Sequence, residues 1–162
     1  MVEIRFNLIL FNKSTTIHPI LFAIFPILLI VTSNLDEVIF KDAGFSLLIV
    51  LGITVISWTF LNLFLKNRLK SGLFISLGLI LFFSYSHFVR IISPIGIDVS
   101  ALPFSHTTYA VPFYGIMLIV GIFGIIKIKK RLKDVTFFAN IIGIVIIVML
   151  LPNVVSYSLE NN

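Results

Sequence analysis

The sequence predicts an all-α fold: a polytopic membrane bundle of about five transmembrane helices, N-terminus inside and C-terminus outside. Three observations carry this reading. Apolar residues fill 59% of the 162 positions and charged residues only 12%, against about 45–50% and about 25% in soluble domains. A single core in a chain this small cannot hide so much apolar surface. The apolar positions also gather in five runs, each near the roughly 20 residues that cross a bilayer. Finally, the net charge of +5 is not spread evenly; its clusters stand between apolar runs, the pattern of a membrane surface rather than of a nucleic-acid partner.

The first sixteen residues, "MVEIRFNLILFNKSTT", are mixed and apolar-rich and read as a segment lying at the inner interface. The first run is Ile17–Asn34, "IHPILFAIFPILLIVTSN". It is longer than the apolar region of a signal peptide, and "VTSNLDE" offers no small-residue cleavage site, so an uncleaved span is expected. Pro19 and Pro26 fit a kinked membrane helix, because neighbouring helices can satisfy the carbonyls a proline frees. The second run is Phe45–Leu65 and the third is Gly72–Ile92, with "KNRLK" (Lys66–Lys70) between them. The fourth is about Tyr109–Ile126 and the fifth about Thr136–Leu151, separated by "KIKKRLKD" (Lys127–Asp134). Residues 17–156 thus form the bundle and 157–162 an extracytoplasmic tail.

Charge sets the orientation. With the N-terminus inside, ten of the twelve Lys and Arg residues lie on the cytoplasmic side, leaving Lys41 and Arg90 outside. The reverse would translocate both basic clusters in short loops, against the positive-inside rule. The outer connections are then "LDEVIFKDAG" (Leu35–Gly44) and "SPIGIDVSALPFSHTT" (Ser93–Thr108).

The polar residues that could carry chemistry collect at the outer end of the third run, in "FFSYSHFVR". As a helix, this stretch puts Ser84 and His87 on one face and makes His87 and Arg90 neighbours. Two readings fit it. One is an interface belt of tyrosine, histidine and a snorkelling arginine. The other is a place where Tyr85, His87 and Arg90, with His106 of the following loop, hold an anionic lipid headgroup or dock an outer domain; arginine suits bidentate phosphate contact. His87, His106 and Asp98 lack the converging three or four ligands of a metal site, so no metal and no cofactor are expected. His18 is expected at the inner interface, too far from the other two histidines to join them across about 30 Å of hydrocarbon. Asn62 and Asn140 read as interhelical hydrogen-bond partners. Gly72–Ser76 and Ala139–Gly143 are small-xxx-small pairs that permit close packing.

Several function classes drop away. No Asp, Glu, Lys or Arg stands near the midpoint of any run, whereas ion-coupled machines mark their routes with such groups. No nucleotide loop, catalytic triad or carboxylate pair is present. Without cysteine there are no disulfides or thiolate metal sites.

Three stretches, His18–Val38, "LFFSYSHF" (Leu81–Phe88) and the closing "FFANIIGIVIIVMLLPNVVSYSLE", resemble the amino-terminal membrane region of sulfatase-like membrane hydrolases and transferases of the alkaline phosphatase superfamily. Ser86 stands where the family pattern has glycine. The resemblance implies five spanning helices leading to a large extracytoplasmic metal-dependent catalytic domain, whose active-site residues would lie beyond residue 162. It implies a membrane anchor, non-catalytic by itself, with the bilayer, anionic lipid headgroups and an outer catalytic domain as partners and the cell membrane as location. The alternatives are a stand-alone accessory subunit of a membrane complex or a small transporter.

Overall fold

The computed structural model describes residues 14–35, 39–92 and 106–160, and all of its regular structure there is helical. Five helices follow one another: α1 (His18–Ser33), α2 (Phe40–Leu65), α3 (Arg68–Ile92), α4 (His106–Lys127) and α5 (Leu132–Glu160). The last four are long and apolar enough to cross a membrane. Their large apolar side chains, among them Leu48, Ile56, Phe64, Phe82 and Met149, point outward and are each at least 60% exposed. A surface of that kind is stable only in lipid. The chain is a multi-pass helical membrane protein.

The two basic connectors are shorter than their charge runs imply. α2 closes at Lys66, which takes a left-handed conformation (φ 47°) and donates its N–H to the Asn62 carbonyl at 2.9 Å. Asn67 then opens α3 at once, its Oδ1 accepting the Lys70 N–H at 3.1 Å, the side-chain cap an N-terminus needs. Most of "KNRLK" is therefore helix. Likewise α4 runs through Lys127 and α5 resumes at Leu132, so only residues 128–131 lie between them. The Lys70 ammonium donates to the Ile126 carbonyl at 3.2 Å, satisfying one of the last acceptors of α4 and stitching α3 to it. Beside it, Arg68 lies 5.2 Å from the centre of the Trp58 ring. A small core of Leu73, Ile125 and Leu132 seals this end.

These contacts, with a Phe40–Tyr157 ring pair at the opposite end (6.3 Å), show that consecutive helices run up and down. The starts of α1, α3 and α5 share one end with the ends of α2 and α4. Eight of the twelve Lys and Arg residues stand in or beside the two tight turns at that end, and the positive-inside rule makes it the cytoplasmic one.

α1 is different. It has 16 residues, about 24 Å of helix, and packs against α5, α2 and α3. α2 packs against α1 and α3 along one half-buried stripe and turns its other sides outward; among its described residues Thr54 alone is buried. α4 packs on α3.

Candidate functional site

Two places gather polar side chains within the bundle. The deeper one is built on the start of α1. Its partners, Ser76 on α3 and Asn140 on α5, each stand eight residues into their helices, about 12 Å from the inner helix ends. α1 therefore begins inside the bundle, and the non-helical residues 15–17 bring the chain to that depth.

A helix beginning in a dry interior has a problem, because its first N–H groups have no intrahelical acceptor. Ile17, the capping residue, has no side-chain acceptor to offer. Asn140 supplies one from α5. Its Oδ1 accepts the Ile17 N–H at 3.1 Å and the His18 N–H at 2.9 Å, and its Nδ2 donates to the Thr15 carbonyl at 2.7 Å. Pro19 follows in the first turn, where a missing N–H costs nothing. His18 Nδ1 lies 2.6 Å from Ser76 Oγ, and the ring, tilted against Phe22 at 6.2 Å, is fully buried. This corrects the expectation of an interfacial His18, which sits buried in the bundle at the level of Ser76 and Asn140.

Close packing closes the knot. A methyl group on Gly72 would collide with Thr16 Cγ2 and would sit 3.4 Å from His18 Cε1. One on Gly143 would sit 2.8 Å from Leu21 Cβ. Gly72 and Ser76 of the first small-xxx-small pair and Gly143 of the second are thus contact points with α1 and the residues leading into it, whereas Ala139 packs on the Leu73–Ile125–Leu132 core; Asn140 is an interhelical partner as expected. Among the described residues, Thr16 Oγ1, His18 Nε2 and Thr136 Oγ1 are buried without a hydrogen-bond partner. Replacing His18 by Ala should leave a cavity and an orphaned Ser76 hydroxyl, costing about 2–4 kcal/mol. His18→Gln, which can still reach Ser76, should recover part of that loss. Denaturant titration of the detergent-solubilised chain measures both.

The second place is the outer half of the α3–α4 seam. Tyr85 is half-buried and meets Tyr114 edge-on at 5.4 Å and 67°, and the Tyr114 hydroxyl lies 3.1 Å from Ser84 Oγ. Below this pair runs an open groove of about 670 Å³, lined by Gly78, Leu81, Phe82, Phe83, Gly115 and Leu118 as well as the two tyrosines. Compared with known proteins, the chain matches no family model, no curated protein and no solved structure.

Of the four residues singled out by sequence, Tyr85 lies at this seam and His87 is exposed one turn above Ser84. The backbones of Arg90 and His106 belong to α3 and α4, and their side chains lie outside the described residues, as does all of the loop that carries Asp98. Tyr114, the partner that packs on Tyr85, is not among the four; its signal is weak, a tyrosine inside an apolar run that also holds Tyr109. Among the described residues no group of three His, Asp or Glu side chains could hold a metal ion.

Proposed function

We propose that this chain is a non-catalytic anchor that holds an extracytoplasmic hydrolase or transferase domain at the cell membrane, close to its lipid-linked or envelope substrate. The observation that carries the reading is how the buried polar groups are used. Asn140 is spent on capping α1, and His18 bonds Ser76 across to α3. Such a knot pins a central helix to two neighbours, which suits a static platform better than a moving carrier. The described spans also lack Asp, Glu, Lys and Arg at mid-depth, the usual material of an ion-coupled route. Tethering works through effective concentration, with no new chemistry in the anchor. The sulfatase-like class of the tethered domain rests on the sequence resemblance alone.

Because the chain has no cysteine, single thiols report cleanly. Ser156, exposed near the end of α5, and Lys129, exposed in the last tight turn, mark opposite ends of the bundle. A membrane-impermeant maleimide should label Ser156→Cys on intact cells and Lys129→Cys only after lysis; the reverse pattern would refute the orientation. Crosslinking from Ser156→Cys in native membranes should yield an adduct with an outer-side hydrolase or transferase. Adducts formed only from Lys129→Cys would refute the tether and favour an accessory subunit working from the cytoplasmic face.

A further inference from the structure

The groove between α3 and α4 is a made feature, opened by two glycines. A methyl group added at Gly78 or at Gly115 would meet no atom within 4 Å, so neither glycine is there to let helices touch. What their missing side chains leave is a trough between two packed helices. Its floor is apolar, with Leu81, Phe83 and Leu118. Only its upper end is polar, where Tyr85 and Tyr114 line it, their rings packed edge-on and the Tyr114 hydroxyl held by Ser84 behind them.

Depth gives the trough a direction. From Gly78 to Tyr85 is seven residues of α3, about 10 Å along the membrane normal, which lies within the roughly 15 Å of one leaflet's hydrocarbon. The polar seam faces the outer surface. Arg90 is seven residues beyond Phe83, which places it on the same side of the helix two turns higher. It is one of two basic residues on the outer side, and guanidinium is the group that best matches a phosphate. Apolar floor, hydroxyl-lined mouth and a cationic residue above it repeat the order of chain, glycerol ester and phosphate in a lipid.

We propose that the α3–α4 groove is a binding site for an outer-leaflet anionic glycerophospholipid, with one acyl chain between Gly78 and Gly115, the ester region at Tyr85 and Tyr114, and the phosphate at the level of Arg90. The volume falls within the roughly 300–1,000 Å³ of specific ligand sites. A long isoprenyl chain would extend well past a trough about 10 Å long. The site stands independently of the tethering role.

The test uses the full chain in mixed micelles containing phosphatidylglycerol, phosphatidylcholine of the same acyl chains, or a long isoprenyl phosphate, with bound lipid counted by native mass spectrometry. One phosphatidylglycerol should be retained per chain. Gly115→Leu and Gly78→Leu, which fill the trough, should each lower retention at least tenfold while leaving the unfolding midpoint within a few degrees of the parent. Arg90→Gln should keep a lipid bound but remove the preference for phosphatidylglycerol over phosphatidylcholine. Undiminished retention in both leucine variants would overturn the proposal, as would preferred capture of the isoprenyl phosphate. Unfolding of both leucine variants would overturn it too, since the two positions would then not be open.

Discussion

Asn140→Ala should be among the most destabilising single substitutions in this chain, lowering stability by about 3 kcal/mol. The side chain holds three backbone groups at once: two N–H donors at the start of α1 and the Thr15 carbonyl before it. An average interhelical hydrogen bond in a membrane protein contributes only about 0.6 kcal/mol, because the partners find replacements in the unfolded state. That average does not govern here. Alanine leaves the buried His18 N–H and the part-buried Ile17 N–H and Thr15 carbonyl without Asn140, and a stranded buried group costs about 1–3 kcal/mol. The sum is an upper bound, since water drawn in from the nearby inner surface would satisfy part of it. Asn34→Ala removes a single bond to the Ile30 carbonyl at an exposed helix end and should cost no more than about 0.5 kcal/mol. Steric-trap or denaturant unfolding of the two variants side by side measures the difference. Equal stabilities would mean that Asn140 caps nothing.

Much of this architecture is legible in the sequence because the bilayer imposes it. Apolar runs of the right length and basic clusters between them leave few alternatives to an up-and-down bundle. The helix ends are less legible. Local capping carries α3 back to Arg68, within the charge run that reads as a loop, because Asn67 caps it directly. His18 shows the limit most clearly. It opens an apolar run, and position in a run reads as depth in the membrane. Its true depth is set by where α1 starts relative to α3 and α5, and nothing local to His18 encodes that. Asn140 is legible as an interhelical partner from its placement in an apolar run, but the segment it bonds lies more than 120 residues away. The outer groove is hidden for a different reason. Gly78 and Gly115 look like packing glycines, as Gly72 and Gly143 are, and only the space around each one separates the two uses.

Gly143→Ala is the second large effect, and comparison with Gly121→Ala isolates its cause. Both additions are one methyl group on a membrane helix, and alanine is the better helix former by about 1 kcal/mol. In open space each change would therefore be neutral or stabilising. At Gly121 the new methyl comes closer still, 2.5 Å from Leu77 Cδ2 and 2.9 Å from Cδ1, but both atoms are ends of the Leu77 side chain. A leucine tip can rotate away, so Gly121→Ala should change stability by less than about 1 kcal/mol in either direction. At Gly143 the obstacle includes Leu21 Cβ at 2.8 Å. That atom is bonded to the α1 backbone, and no rotamer moves it. Relief requires α1 to shift away from α5, and a shift there also lengthens the hydrogen bonds from His18 and Ile17 to Asn140 one turn below. Overpacking alone costs about 1–3 kcal/mol, so Gly143→Ala should reach the upper part of that range. The coupling yields a second expectation. In an Asn140→Ala background the cap is already lost, so the two losses should add to less than their sum. Full additivity in that double-mutant cycle would separate the packing of α1 on α5 from its cap, and the knot would no longer act as one unit.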